Sequence, residues 1–483
     1  MIATNSLNLE VDMKEFVRHW LTCCLLATVC CSPTVLDEPA TTTITVPSNK
    51  IRVAVIGAGP CGLITARYLS SKLDKFDLTV FERTNEVGGL WVYTNVTGND
   101  ANGVPMHTAA YDYLKTNVPK EVMMLEDFPF PQLNEPSFVS HRVIYSYLQN
   151  FTRHFKLFPH IKLNTLVTDV EPEISPSGQT TYRITSKDLI NDEESIDSFD
   201  AVVVSVGHVS VNYIPTIRGS DTFVGTAIHS HDYRVPEKYS GRRVCIIGAQ
   251  ASGRDIALEL SEHAAKVYLS DKGGYGRKRW LSGIEMTPRI IDITGNNLTF
   301  SDDTSVQVDD IIYCTGYQFA YPFLSKKIEL STADKNVEPL YKYLVHITSP
   351  NLFFMGVPDS LNFLLAELHA QYIVGLLEGR LQLPSSEAMR EDMEAQKRKL
   401  LAALIPRREH LRYSSWTEFD QLATLANASK IRPVIRSIFQ HCLRAQQQNV
   451  RQYKQYGYKI IDNENFGARL FPPDKAINEP WFS

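Results

Sequence analysis

The chain has 483 residues, of which 43% are hydrophobic and 21% are charged, and its formal net charge is −5. A chain of this length and composition can bury a large core and form two or three domains. Because the charge balance is slightly acidic and no long run of Lys and Arg occurs, nucleic acid is excluded as an expected partner.

The first predicted element is an uncharged apolar run, WLTCCLLATVCC, at 20–31. It follows Lys14 and Arg18 and precedes a polar segment rich in threonine. The run is short for a membrane-spanning helix and has about the length of the hydrophobic region of a signal peptide. We therefore predict a signal peptide at 1–31 and a secreted or ER-lumenal protein, in preference to a short membrane anchor.

Secretory routing would make four Asn-x-Ser/Thr sequences usable as glycosylation sites. They lie at Asn95, Asn150, Asn297 and Asn427. Such sequences also occur by chance, so this expectation depends on the signal peptide. No later segment has the length and apolarity of a transmembrane helix, and no membrane anchor is predicted.

A strand, a glycine turn and a helix are predicted at 51–69, IRVAVIGAGPCGLITARYL. In Gly57-x-Gly59-x-x-Gly62 the glycines permit a tight turn, close approach of a pyrophosphate and close packing of helix on strand. The helix N-terminus then faces the phosphate charge. The next strand, LTVFE, ends at Glu82, near the ~20-residue spacing of an acid that binds ribose hydroxyls. The unit is a complete dinucleotide-binding fingerprint.

A second unit of the same kind, RRVCIIGAQASGRDIALEL, lies at 242–260. Gln250 occupies the position of the central glycine, where its side chain would push a pyrophosphate outward or be held aside by the backbone. We expect nucleotide binding to be retained but looser, with a half-domain that binds nothing as the alternative. After the next strand, Lys272 could meet the 2′-phosphate of NADP and Asp271 the free 2′-hydroxyl of NAD. The choice stays open, with a preference for NADP.

Two similar stretches bracket the second unit: FDAVVVSVGHVS at 199–210 and VDDIIYCTGYQF at 308–319. They suit a chain that leaves one domain, builds a second and returns. The predicted fold class is α/β, with two nested Rossmann-like dinucleotide-binding domains. One cradle would hold a resident cofactor and the other a cofactor that delivers reducing equivalents, roles that FAD and NADPH fit. The predicted FAD domain covers 48–215 and 311–483, including C-terminal helices, and the inserted NADP domain covers 216–310.

From about residue 51 to the 370s the chain resembles the flavin-containing monooxygenases. GAGPCGL at 57–63 is similar to their FAD motif, and EVGGLWVY at 86–93 to the segment that runs under the flavin. FVGTAIHSHDYR at 223–234 resembles their FxGxxxHxxxY signature, with Phe223, Gly225, His229 and Tyr233 in register. The secretory start is most like the insect members, which include alkaloid N-oxygenases.

Two further segments carry the resemblance into the expected site. CTGY at 314–317 is similar to the family's ATGY-type linker, and YLKTN at 113–117 to the segment with its active-site asparagine. Asn117 is therefore the expected catalytic residue, since a neutral amide can donate and accept beside a peroxide without supplying a proton. His229 is expected to be a hydrogen-bonded structural histidine rather than a base.

The resemblance also implies the reaction. NADPH reduces FAD, dioxygen adds to give a flavin 4a-hydroperoxide, and a soft nucleophilic nitrogen or sulfur of an amine, alkaloid or thioether attacks its distal oxygen. The motifs and the resemblance together predict cofactor contacts at Gly57, Ala58, Gly59, Pro60, Cys61, Gly62, Glu82, Gly89, Leu90, Trp91, Thr116, Asn117, Val167, Gly248, Ala251, Ser252, Gly253, Lys272 and Gly316.

Other classes of flavoprotein are alternatives to this interpretation. The signature of the Baeyer–Villiger monooxygenases resembles FxGxxxHxxxW, and this chain has Tyr233 at the position of the final tryptophan. An NADPH oxidase, or a non-catalytic flavoprotein disabled by Gln250, shares the same two cradles. A disulfide reductase needs a redox cysteine pair, which the body cysteines do not offer close in sequence. No metal site is predicted, because cysteine pairs with zinc spacing are missing from the sequence. The sequence leaves the substrate and the oligomeric state open.

Overall fold

The computed structural model of the protein describes residues 41–42, 44, 50–131, 135–272, 283–358, 362–405, 410–411 and 415–472. The predicted signal peptide at 1–31 lies outside these ranges. None of the helices within them combines the length and apolarity that crossing a bilayer requires.

A seven-stranded sheet forms the first domain. Some of its strands precede the second domain in the chain and others follow it. Numbered in chain order, its strands are β2 (Ile51–Ile56), β3 (Phe76–Phe81), β4 (Ile161–Lys162), β8 (Ala201–Val204), β19 (Leu340–Tyr341), β20 (Val345–His346) and β21 (Leu352–Phe354). They are ordered β19-β20-β21-β8-β2-β3-β4. Val53 and Val55 pack into the core on one face. Ala54 and Ile56 pack into the core on the other face, so β2 is apolar throughout.

The second domain is a five-stranded parallel sheet. Its strands are β10 (Thr226–His229), β11 (Arg243–Ile247), β12 (Lys266–Ser270), β13 (Ile284–Thr287) and β17 (Asp310–Tyr313). They are ordered β10-β17-β11-β12-β13, and every neighbouring pair is parallel. Because β17 pairs with β10 and β11, the second domain runs to Tyr313. The boundary predicted at 310 cuts this strand and is corrected accordingly.

Smaller antiparallel sheets complete the two domains. They are β5 (Thr165–Ile174), β6 (Thr180–Asp188) and β7 (Glu193–Phe199); β14 (Ile290–Thr294), β15 (Asn297–Phe300) and β16 (Ser305–Gln307); β1 (Thr41–Thr42) with β22 (Leu383–Pro384); β9 (Val211–Asn212) with β18 (Tyr317–Gln318); and β23 (Tyr456–Ile460) with β24 (Phe466–Leu470). The β9–β18 pair joins the two connections between the domains. The outgoing and returning chains are therefore hydrogen-bonded side by side.

The helices follow the periodic segments of the sequence. They are α1 (Pro60–Ser70), α2 (Lys120–Met123), α3 (His141–His154), α4 (Ala251–Leu260), α5 (Asn362–Leu377), α6 (Ser386–Ala402), α7 (Trp416–Leu425) and α8 (Pro433–Gln448). The helical pattern at 387–405 corresponds to α6, where Ser385 caps the N-terminus by accepting from the Ala388 N–H. α5 packs on α1 and α6 on β19, so these C-terminal helices cover the first domain.

Candidate functional site

The first glycine turn is closed by contacts that only glycine permits. Gly57 has φ +103°, and a Cβ there would lie 2.7 Å from the Ser205 carbonyl oxygen. A Cβ on Gly62 would lie 1.9 Å from the Gly57 carbonyl oxygen. Both positions are fixed by the packing of the protein on itself.

Gly59 is different. Its φ of −73° suits any residue, and a Cβ there would meet only the Gly89 Cα, at 3.7 Å. Gly59 is also the N-cap of α1, where no side chain of the described residues supplies a capping bond and Pro60 begins the helix. The open space and the uncapped N–H groups are what a bound pyrophosphate requires. These residues therefore fit a dinucleotide.

Further predicted residues border the same turn. The Glu82 carboxylate accepts from the N–H groups of Ala58 at 2.8 Å and Thr84 at 2.9 Å. The Thr165 N–H donates to the Glu82 carbonyl oxygen at 2.8 Å, which starts β5 there. Val167 is buried at a bulge two residues later. Glu82 and the start of β5 thus form one edge of the cradle.

The segment Gly89–Trp91 packs directly on the first turn. The Gly88 N–H donates to the Ala58 carbonyl oxygen at 2.9 Å, and a Cβ on Gly89 would lie 3.0 Å from the Gly59 Cα. The Leu90 carbonyl oxygen accepts from the Thr108 hydroxyl at 2.5 Å. The Gly88–Gly89 backbone and the Ala58–Gly59 backbone of the first glycine turn therefore pack against each other at one site.

Gly356 also reaches this cradle, although sequence reasoning did not single it out. It follows β21 with φ +74°, and a Cβ there would lie 3.2 Å from the Cys61 Sγ. The available signal was a glycine directly after the apolar run LFFM. The four cysteines among the described residues, Cys61, Cys245, Cys314 and Cys442, are all free thiols.

The second glycine turn repeats the first. Gly248 has φ +107°, and a Cβ there would lie 2.4 Å from the Cys314 carbonyl oxygen; a Cβ on Gly253 would lie 1.8 Å from the Gly248 carbonyl oxygen. Gln250 is the N-cap of α4 with φ −81° and ψ −165°, close to the −73° and −176° of Gly59. Its side chain is exposed. The glutamine therefore leaves the glycine-type backbone intact.

The remaining predicted residues of the second domain lie around this turn. Ala251 and Ser252 form the first turn of α4, and Ser252 is exposed. Lys272 is exposed directly after β12, while Asp271 is partly buried and donates its N–H to the Thr287 carbonyl oxygen at 3.2 Å. Lys272 and Asp271 thus differ in exposure at the end of β12, where a nucleotide ribose would bind.

His229 of the signature, at the end of β10, hydrogen-bonds to the chain that returns to the first domain. Its Nδ1 accepts from the His231 N–H at 3.1 Å, so its proton lies on Nε2, which donates to the Gly316 carbonyl oxygen at 3.0 Å. Gly316 has φ +77°. Burial lowers the pKa of His229 to about 4. A neutral imidazole with both nitrogens engaged has a structural role here.

We expect His229→Gln to change the acid stability of the protein. Between the ordinary pKa of 6.5 and the folded value of about 4, the unfolded chain binds a proton at residue 229 that the folded chain does not. The free energy of unfolding therefore falls as the pH falls through that interval. Glutamine can still donate to Gly316 but does not titrate, so urea unfolding of the variant should show a shallower fall. Parallel profiles for the two proteins would contradict this account.

Arg234, the last residue of the signature stretch, is buried between the domains. A guanidinium group has five N–H donors, and each of them here meets a backbone carbonyl oxygen at 2.7–3.4 Å. The acceptors belong to Thr94, Val96, Thr108, His231 and Tyr233. Arg234 therefore holds the segment after Gly89–Trp91 against the signature. The sequence carried no separate signal for this role.

The loop with Asn117 lies between the Gly89–Trp91 segment and α4. On one side, the Tyr93 ring lies 5.0 Å from the His141 ring, and the His141 N–H donates to the Leu114 carbonyl oxygen at 3.0 Å. On the other side, the Tyr111 hydroxyl donates to Asp255 of α4 at 3.3 Å. The loop thus connects the surroundings of both cradles.

Within this loop, Thr116 is buried and Asn117 is exposed. The Thr116 hydroxyl has no hydrogen-bond partner among the described residues, which fits a donor reserved for a bound group. The Asn117 Oδ1 accepts from the Lys454 ammonium at 3.2 Å. Lys454 and its partner Asp255 were not predicted, because neither lies in a motif.

Comparison with known proteins gives one consistent match. Residues 50–283 and 276–445 match a family model described as flavin-binding monooxygenase-like. The chain is 36% identical over 368 residues to the flavin-containing monooxygenase FMO GS-OX5 of Arabidopsis thaliana, covering 72% of this chain and 78% of that protein. It is 31% identical over 437 residues to senecionine N-oxygenase of Tyria jacobaeae, covering 89% and 94%. S-allyl-L-cysteine S-oxygenase of Allium sativum superposes with a TM-score of 0.77 at 30% identity, covering 84% and 95%.

Proposed function

The chain belongs to the flavin-containing monooxygenase family, and on this premise we propose that it oxygenates a small amine, alkaloid or thioether. It is an FAD- and NADPH-dependent enzyme that transfers one atom of dioxygen to nitrogen or sulfur. The observation that carries the proposal is the duplicated glycine turn, which repeats the same backbone at Gly57 and Gly248 and the same close contact at Gly62 and Gly253.

We assign one cofactor to each of the two glycine turns. FAD, once reduced, supplies the oxygen-transfer chemistry. We assign its pyrophosphate to the α1 N-terminus and the space at Gly59, its ribose to Glu82, and its ring to the neighbourhood of Gly89–Trp91. We assign NADPH to the α4 N-terminus. Lys272 would then attract the 2′-phosphate, which favours NADPH over NADH.

Asn117 is the residue proposed to contact the transferred oxygen. Its amide oxygen is occupied by Lys454, so its NH2 group is the part left to donate. An amide donor can stabilise an oxygen that carries developing negative charge and cannot release a proton to it. The protein otherwise orients the cofactors and excludes water.

The direct test starts from purified, FAD-loaded protein. It is reduced anaerobically by NADPH or NADH and is then mixed with oxygen and a tertiary amine, an alkaloid, a thioether or a cyclic ketone. We expect faster reduction by NADPH and an N-oxide or sulfoxide product. An ester from the ketone, or hydrogen peroxide alone with every substrate, would overturn the proposal, as would a failure of both nucleotides to reduce the flavin.

Gly59→Ala should separate cofactor binding from folding. The methyl group meets only the Gly89 Cα within 4 Å, so unfolding of the apoprotein should change by no more than about 1 kcal/mol. The same methyl group occupies the space assigned to the pyrophosphate, so the variant should lose most of its FAD. Flavin content and urea unfolding of the apoproteins measure the two effects.

Gly62→Ala is the matched contrast. Its Cβ would lie 1.9 Å from the Gly57 carbonyl oxygen, so this variant should be destabilised even without cofactor. A folded Gly59→Ala protein that keeps full FAD content would disprove the assignment of the pyrophosphate to this turn.

We also propose that the protein follows the secretory route. The apolar run at 20–31 supports this, and three of the four potential glycosylation sites, Asn95, Asn150 and Asn427, are exposed. Expression in cultured insect cells should give a protein in the medium or ER whose mass falls on glycosidase treatment. A cytosolic protein with an intact N-terminus would refute the proposal.

A further inference from the structure

We propose that Lys454 is a positioning residue that fixes the orientation of the Asn117 amide, using Asp255 of the second domain as its anchor. This inference rests on the role proposed for Asn117 and adds what holds that side chain in place.

The ammonium group of Lys454 is fully used by three acceptors. Nζ donates to the Asp255 Oδ2 at 2.5 Å, the Asn117 Oδ1 at 3.2 Å and the Lys115 carbonyl oxygen at 3.4 Å. The side chains of Lys454 and Asp255 are 16% and 14% exposed. A partly buried pair of this kind is screened less by salt than a pair at the surface.

The contact selects one orientation of the Asn117 amide. An ammonium group carries only donors, so it binds the amide oxygen and leaves the NH2 group pointing elsewhere. Asn117 itself is exposed in a bend before Pro119, where an amide without such a contact could turn over. The reversed amide would present an acceptor where the reaction needs a donor.

Both ends of the connection are anchored. Lys454 lies in a short 3-10 turn next to Tyr453, which is buried in the C-terminal core with α8. The neighbouring Tyr456 carbonyl oxygen accepts from the Ser137 N–H at 2.9 Å. Asp255 lies in α4, the helix that begins at the second glycine turn. Lys454 therefore ties the C-terminal unit and the nucleotide domain to the loop of Asn117.

The test compares Lys454→Met, Lys454→Arg and Asp255→Asn with the wild type, and Lys430→Met is the control because Lys430 is an exposed lysine of the same C-terminal region. Lys454→Met should retain FAD and stay folded, with a lower melting temperature because Asp255 loses its partner, while product per NADPH consumed should fall about 10-fold, replaced by hydrogen peroxide. Lys454→Arg should restore part of this product yield. The yield of Asp255→Asn should lie between those of Lys454→Met and Lys454→Arg. Crystal structures should show one Asn117 rotamer in the wild type and several in Lys454→Met.

A double variant distinguishes positioning from general damage. If Lys454 acts through Asn117, then Lys454→Met should not change the rate of peroxide release further in an Asn117→Ala background. An additive effect there, or an unchanged product yield for Lys454→Met alone, would overturn the inference. Wild-type yield from Asn117→Ala alone would instead refute the role of Asn117 and leave the geometry of Lys454 as a structural contact.

Discussion

Asn117→Ala is expected to lower the yield of oxygenated product per NADPH consumed by about 100-fold, the cost of removing one preorganised hydrogen-bond donor from developing negative charge. FAD should remain bound, because both walls of its cradle are built from other residues. Reduction by NADPH should also persist, so the electrons should appear as hydrogen peroxide. Product and peroxide measured together under the same NADPH consumption test this expectation.

Asn117→Asp refines the same prediction. A carboxylate accepts from Lys454 as well as an amide does, so the contact at 3.2 Å is preserved, but the NH2 donor is lost and a negative charge is added. We therefore expect a loss of oxygenation similar to that of the alanine variant. Asn191→Ala, at an exposed asparagine between β6 and β7, is the control and should behave as wild type. Wild-type yield from either Asn117 variant would remove Asn117 from the mechanism.

The glycine turns could be predicted because their requirements are local. The tight turn and the helix-to-strand contact depend on residues within one short segment, and both units fold with φ near +105° at their first glycine, +103° at Gly57 and +107° at Gly248. The same locality explains Gln250. Its backbone follows that of Gly59, so an exposed side chain replaces the glycine without altering the turn.

The contacts around Asn117 could not be predicted in the same way. Lys454 and Asp255 are separated by 199 residues, and no periodicity or motif marks either of them. The predicted domain boundary at residue 310 is corrected for a related reason. The strand β17 resembles β8 in sequence, and only its pairing with β10 and β11 shows that it completes the second sheet.

Arg234→Met is expected to lower the free energy of unfolding by about 3 kcal/mol or more, since hydrogen bonds from a charged donor contribute ~1.5–3 kcal/mol each and several are lost together. The methionine can fill much of the volume but leaves five carbonyl oxygens without the donor they now share. Arg142→Met is the control, because the Arg142 side chain is 60% exposed and contacts Asp112 and the Tyr93 ring at the surface. It should cost less than about 1 kcal/mol.

Arg234→Lys shows whether the charge of Arg234 or the geometry of its guanidinium group stabilises the fold. Lysine keeps the positive charge but concentrates its donors on one nitrogen, which cannot reach carbonyl groups on two sides of the planar guanidinium. Arg234 bonds to Thr94 and Val96 on one segment and to His231 and Tyr233 on another, so the lysine variant should lose one of these segments and show an intermediate stability in urea. If the lysine variant is as stable as the wild type, the charge alone suffices. If the methionine variant is as stable too, the five bonds do not hold the domains together.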